Sequence, residues 1–323
     1  MKRRTLLSLA LAVAAVAGCE KASTSTNGSG ALTTGELELF HFLPKGAPIY
    51  FAGSYSQLQN LMKSGVGKFT SMIADRMGPG MSTWMNCLAA PHGMKIAAAA
   101  SVSGKAFEMR LVFAGIKIAD IATCGQKASF KVTTDPDGKY VAVELPPPAN
   151  LATYLALPNG DLYARQTTEL GLKASQVSAL RPELEGDLAA LAQGTAADDE
   201  TLTTLAAKID RSKTGWFVGS AAGTPIADKV GEAYGWIDGS SGLALDVTVQ
   251  IKSAADIDKI DQGITQVRGM ADQLPGDFKD VVKNLKFSHG GDHVHFAIAL
   301  TDAQIKSLTD QLGSMIGPQL GSQ

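Results

Sequence analysis

The densest candidate for chemistry in this chain of 323 residues is SHGGDHVHF (288–296), where three histidines and an aspartate stand within seven residues. Imidazole and carboxylate groups are the usual nitrogen and oxygen ligands of zinc. With Gly290-Gly291 as a two-residue turn, the segment reads as a hairpin in which His289 faces Asp292 and Lys286 faces His295. Strand alternation then places Leu285, Phe287, Val294, Phe296, Ile298 and Leu300 on one buried face. His293 and His295 project from the other face, about 7 Å apart along the strand. His289 and Asp292 lie on the side away from that pair, and the group opposite His295 is a cation, so the cluster is divided. His293 and His295 remain weak metal-ligand candidates against the plainer reading of a solvated outer face; no metal or other cofactor is assigned.

The remaining motifs fail on their own chemistry. Gly65-Val-Gly67-Lys68 lacks the hydroxyl that a phosphate loop needs after its lysine and the glycine five places before the second one; Phe69 and Met62 stand there. Lys213-Thr214-Gly215 precedes a strand as in serine acyl-enzymes, but the chain holds no Ser-x-x-Lys to supply the nucleophile. G-x-S-x-G and H-E-x-x-H are absent too. His41 and His92 stand alone beside proline-containing turns. No catalytic residue is assigned, and the chain reads as a non-enzyme.

The first residues speak of address. Lys2, Arg3 and Arg4 precede an apolar run from Leu6 to Val16, the order of a secretory signal, and eleven residues are too few to span a bilayer. Val16-Ala17-Gly18-Cys19 resembles the lipobox of bacterial lipoproteins, a resemblance that implies cleavage before Cys19, diacylation of its thiol and a palmitate-type anchor. An ordinary signal cut nearby, with Cys19 a bystander thiol, is the competing reading. Each buried methylene contributes roughly 0.8 kcal/mol, so two or three chains anchor lastingly where one does not. Glu20 in place of Asp after the cysteine favours the outer membrane, facing the periplasm or the cell surface. With Cys19 used, Cys87 and Cys124 form an even pair in an oxidising compartment and are expected to bridge.

Without Lys2, Arg3 and Arg4 the chain carries 26 basic against 31 acidic residues, a net of −5, which leaves no basic footprint for nucleic acid. Residues 20–34 are rich in Ser, Thr and Gly and read as a flexible spacer. The expected organisation is a signal peptide over 1–18, a lipid-anchored spacer over 19–34, a first α+β repeat over 35–158, a helical connector over 159–213 and a second repeat over 214–323.

That division rests on an order of elements that occurs twice. PIYFAG (48–53) leads into a capping box at Ser56 and a helix, then a short helix with Trp84 and Cys87, a hairpin of MKIAAAASV and AFEMRLVFAG, a helix over Ala119–Cys124, and a hairpin about Asp135–Gly138. WFVGSA (216–221) then leads to a hairpin about Asp238–Gly242 and a helix after Ser253. Its apolar stripe of Ile257, Ile260, Ile264, Val267, Ala271 and Leu274 must pack on something. The 288–296 hairpin and a helix capped by Thr301 and Gln304 close the chain. In the connector, Pro182 suits a first helical turn and Asp198 or Asp199 a helix cap. The same order could also arise by chance in an α+β chain. The fold class expected is α+β, two tandem strand-helix-hairpin-helix-hairpin units with a mainly antiparallel sheet and helices on one face.

The stretches LPKGAPIYFAGSYSQL, RLVFAGIKIADIATC, AAKIDRSKTGWFVGS and LKFSHGGDHVHFAIALTDAQIKSLTDQL resemble tandem-repeat lipoproteins of unknown function common in myxobacteria and their relatives. The resemblance covers most of the chain beyond the signal with diffuse motifs. It implies the fold and the address, with recurring cysteines before and after the first hairpin similar to Cys87 and Cys124, and brings no catalytic residue. The function expected is a lipid-anchored envelope module that binds or scaffolds, with an envelope protein as possible partner. The alternative is a periplasmic carrier of lipid or another apolar ligand, for which the small side chains of MKIAAAASV would leave room.

Overall fold

The computed structural model describes residues 31–54, 78–88, 94–103, 106–146, 151–167, 177–224, 226–273 and 278–308. Cys19 and the signal-like segment, the Ser56 capping box, the run from Gly65 to Lys68, His92, Leu274 and the end of the closing helix lie outside them.

Twelve strands make one antiparallel sheet: β1 (Ile49–Ser54), β2 (Lys95–Ser103), β3 (Ala106–Ala114), β4 (Val132–Thr134), β5 (Tyr140–Glu144), β6 (Leu151–Ala156), β7 (Leu162–Thr167), β8 (Gly215–Ser220), β9 (Val230–Asp238), β10 (Leu243–Ile251), β11 (Lys286–Gly290) and β12 (His293–Leu300). The spatial order is β11-β12-β10-β9-β8-β1-β2-β3-β7-β6-β5-β4. The centre is a seam, where Tyr50 of β1 pairs with Ala99 on one side and with Val218 of β8 on the other. From it β1-β2-β3 step outward in one direction and β8-β9-β10 in the other. A mixed helix and strand fold on a mainly antiparallel sheet is thus what the periodicities specify.

The helices occupy both faces, which corrects the expectation of one. Alternation along β2 sends Ala97 and Ala99 into one core and Ile96 and Ala98 into another. The first core is closed by α1 (Thr34–Phe40), α4 (Val177–Ala190) and α5 (Glu200–Ala206), through Leu39, Phe40, Leu184, Leu202 and Leu205. On the opposite face α2 (Met81–Leu88) and α3 (Ile118–Lys127) bring Met81, Trp84, Ile118 and Ile121 onto Leu111, Val141 and Val143. A sheet whose strands read as continuous apolar runs, such as YVAVE and LATYLA, needs cover on both sides. Ala97, Ala98 and Ala99 of β2 are 0 to 4% exposed and serve close helix-on-sheet packing. Cys87 and Cys124 are joined and tie α2 to α3.

Four local readings change. The body takes up the chain before residue 35: Leu32 is buried and Thr33 caps α1, its hydroxyl and backbone N–H both meeting Glu36. The range assigned to a helical connector holds β7, which with β6 forms a hairpin beside β3, while the expected closing hairpin β4-β5 lies at the sheet edge. Helix α4 begins at Val177, so Pro182 sits inside it and cannot donate to the carbonyl four residues back. Asp199 does cap α5, and Asp198 closes a box with Thr195.

The expected stripe is used at its two ends: on helix α6 (Ala254–Gly269) Ile257 is buried and Ile260 packs near Val294 and Phe296, Val267 is 41% exposed, and Ala271 in the 3-10 turn that follows is fully buried. With α7 (Phe278–Asn284) and a helical stretch over 302–308, α6 covers the face of β9, β10 and β12 that carries Ile237, Val249, Val294 and Leu300. The Thr301–Gln304 box is formed.

Candidate binding surface

On the face shared with α1 and α5, no described helix covers β9, β10, β12 and β11. Register fixes what that open wing displays. Trp216 and Val218 face the first core, so their partners Trp236 and Tyr234 stand on the same side, followed by Asp246 and Thr248 on β10 and by Ala297 and His295 on β12. Gln250 and His293 continue the row. Two lysines border it: the Lys208 ammonium lies 5.3 Å from the Tyr234 ring centroid and that of Lys213 lies 5.1 Å from Trp236. The result is a half-buried polar and aromatic platform, flanked by α5 on one side and ending at the edge strand β11.

The histidines take their places on this platform with a register different from the one expected. The turn is Gly291-Asp292, so Gly290 faces His293 and Ser288, not Lys286, faces His295. Gly291 adopts φ +61°, a left-handed conformation that glycine accepts without strain. Moving the turn by one residue moves each opposite partner by two, which leaves the strand side chains on their expected faces. It also puts Asp292 in the turn, where its carboxylate meets His293 and Gln250 instead of lying away from that histidine as expected. Phe287, Val294 and Phe296 are on the packed side, and His293 and His295 on the open one.

What alternation could not reveal is the neighbouring strand. His295 Nε2 lies 2.9 Å from Asp246 Oδ1, and this hydrogen bond raises the imidazole above its ordinary range, against the opposing pull of partial burial. His293 Nδ1 lies 2.6 Å from Asp292 Oδ1, while Gln250 Nε2 donates to Asp292 Oδ2 at 2.6 Å and holds that carboxyl below its usual range. Each histidine is occupied by its own aspartate. Among the described residues no group of three or more His, Cys, Asp or Glu side chains is arranged to hold a metal ion.

A cleft of about 260 Å³ opens on the same face where β1 and β2 meet α1 and the loop before β8. Its apolar surface comes from Leu39, Phe40, Ala52, Ile96 and Trp216, its charges from Glu36, Lys95, Arg211 and Lys213. Arg211 is 7% exposed and fixed by Glu36 Oε2 at 2.7 Å and the Ala31 carbonyl at 3.0 Å. Lys213, 3.4 Å from Asp238 and 3.8 Å from Asp210, belongs to both regions, since it also covers Trp236. The neighbouring Thr214 is spent on structure: its hydroxyl accepts from Gly239 N at 2.9 Å and donates to Asp238 at 3.2 Å, securing the β9-β10 turn. That explains Lys213-Thr214-Gly215 without acyl transfer.

Two further polar clusters are structural. Asp199, buried, accepts from Gly46 N and Tyr50 Oη at 2.8 Å each and from Thr201 N at 2.9 Å. Burial opposes its charge, but these donors outweigh it and hold the carboxyl below its usual range. Burial, reinforced by the same aspartate, pushes the Tyr50 hydroxyl well up. Beneath α4, Asp187 meets Arg110 at 3.2 Å, Tyr163 Oη at 3.2 Å and Arg165 at 3.8 Å, clamping the helix to β3 and β7.

No protein-family model matches the chain and no curated protein is similar to it. Among solved structures it is similar to crystal form III of TP0453, with a TM-score of 0.47 and 10% identity over 84% of this chain and 98% of that one. Crystal form IV of TP0453 gives a TM-score of 0.44 and 9% identity over 90% of this chain and 99% of that one. No described helix is long and apolar enough to cross a membrane.

Proposed function

We propose that this protein is a non-enzymatic binding module of the bacterial envelope, held to the outer membrane by lipid on Cys19 and presenting the open wing to an envelope protein. Its body is built from two tandem copies of an outward-stepping three-strand unit, and the mirrored order of β1-β2-β3 and β8-β9-β10 about the seam supports that view. The observation that carries the function is the contrast in cover: helices lie on both faces of β2, β3, β5, β6 and β7, whereas β9, β10 and β12 leave Tyr234, Trp236, Asp246, Thr248 and His295 half-buried on one side. Aromatic and charged side chains fixed on a rigid sheet lose little entropy when a partner docks.

A photocrosslinking residue placed at Thr248 tests this in cells, with the same residue at exposed Lys127 on the other face as control. The expected result is a discrete adduct from position 248 alone; adducts common to both sites, or none, would overturn the reading. The anchor is tested separately by metabolic labelling with an alkyne fatty acid, which Cys19→Ala should abolish.

One observation favours the carrier alternative, the cleft under α1. At about 260 Å³ it falls just below the ~300–1,000 Å³ of sites that enclose drug-sized molecules, which restricts it to a head group or short chain.

A further inference from the structure

We infer that the cleft under α1 binds a small amphipathic anion, a phosphate or carboxylate head joined to a short apolar chain. The inference narrows the carrier reading and rests on it; of the open wing it involves only Lys213, which borders both regions.

The charges choose the sign of the ligand. Lys95, Arg211 and Lys213 line the cleft against the single carboxylate of Glu36, in a chain whose formal net charge is −2. The cations also differ in readiness. Arg211 is locked to Glu36 and the Ala31 carbonyl and acts as a fixed wall. Lys213 is 28% exposed and its contacts to Asp238 and Asp210 are long, so its ammonium can turn toward a stronger partner. Lys95 is exposed and makes no ion pair among the described residues. An anion seated between Lys95 and Lys213 gains charge-assisted hydrogen bonds beside low-dielectric walls, where such attraction exceeds that in open water. A cation would meet three like charges, and a fully polar anion would leave the apolar surface unused.

The walls choose the rest of the ligand. Leu39, Phe40, Ala52 and Trp216 are 0 to 9% exposed, so they form a fixed apolar floor that shows a narrow strip of surface, room for a short chain and no more. Burying a chain there removes apolar surface from water, so a short alkyl group adds to the affinity of the head. Trp216 also provides an optical reporter at the site.

The test is titration of the full chain with octyl phosphate, followed by tryptophan fluorescence and calorimetry, alongside octanol, octyltrimethylammonium and inorganic phosphate. Saturable binding of octyl phosphate is expected, at least tenfold tighter than octanol or inorganic phosphate, with none of the ammonium compound. Lys95→Glu should weaken it tenfold or more, while Lys131→Glu at the distant β4 edge leaves it unchanged; both are surface changes whose folding is checked by circular dichroism. Octanol bound as tightly as octyl phosphate would overturn the anionic head and leave a carrier of apolar ligands standing. Inorganic phosphate bound as tightly would overturn the apolar part. Binding indifferent to Lys95→Glu would remove the ligand from this cleft, and no binding of any probe would overturn the inference and the carrier reading together.

Discussion

The sheet has two wings that solve the same problem differently. Across β2, β3, β7, β6 and β5 its strands are covered on both faces, cross-braced by the Cys87–Cys124 bridge and by the charge cluster under α4. From β9 to β11 one face is packed and the other is polar and half-buried; among the described residues its satellite cores are built on four and three buried residues. The lesson is a division of labour. Rigidity is concentrated where strands are apolar throughout, and display where they alternate.

Removing the bridge should give the largest contrast. Cys87→Ala with Cys124→Ala frees a loop with a sequence separation of 37, worth about 4 kcal/mol on the chain-entropy estimate. Urea unfolding should show that loss, and hydrogen exchange should place it in β2 to β7; a loss spread evenly over both wings would break the comparison. Next comes Asp199→Ala, which strips the buried Tyr50 hydroxyl and the backbone N–H groups of Gly46 and Thr201 of their acceptor at the junction of α5, β1 and the turn at Gly46, for about 3 kcal/mol in thermal unfolding. Because the Asp199 carboxyl is held below its unfolded value, its contribution is present above about pH 4 and is lost as pH falls through the lower folded value. The wild-type advantage over Asp199→Ala should therefore shrink in acid.

On the open wing the effects are smaller. Thr248→Arg, in the middle of the platform, should change stability by no more than ~0.5 kcal/mol while removing the adduct formed by a photocrosslinking residue placed instead at Ala297 of the same face. A large destabilisation would mean that the face is packed, not displayed. Smallest is His295→Asn. The Asp246 hydrogen bond raises the imidazole's folded value, so its stabilisation is full below about pH 6.5 and lost as pH rises through that higher value. At 38% side-chain exposure it is worth less than ~1 kcal/mol, and the mutant and wild-type melting curves should converge in alkali.

Much of this frame was legible in local patterns because the strands alternate or run apolar and the turns carry their glycines. The hairpins of β2-β3, β9-β10 and β11-β12 and the caps at Asp199 and Thr301 follow from neighbours in the chain, and the pairing of Cys87 with Cys124 from the cysteine count. Most of what escaped depends on distant partners, with local exceptions. LATYLA and LYARQT, joined through Pro158-Asn159-Gly160, form β6 and β7, although the Asn-Gly pair was a usable turn signal. Asp246 is 49 residues from His295, and no local spacing links them; only the placement of β10 beside β12 does. The cleft likewise gathers four separate stretches of chain. Helices on both faces could have been inferred from YVAVE, which offers no polar side before Glu144.

The seam between β1 and β8 also sets an order of events during synthesis. Until Gly215–Ser220 has been made, β1 can pair on one side only, and the future centre of the sheet is a bare edge of Ile49, Tyr50, Phe51 and Ala52. Such an edge invites pairing with other chains, and closing it requires a contact across more than half of the sequence. A nascent fragment ending before β8 should therefore be a substrate for chaperones, and the protein should become safe from aggregation only when its second half arrives.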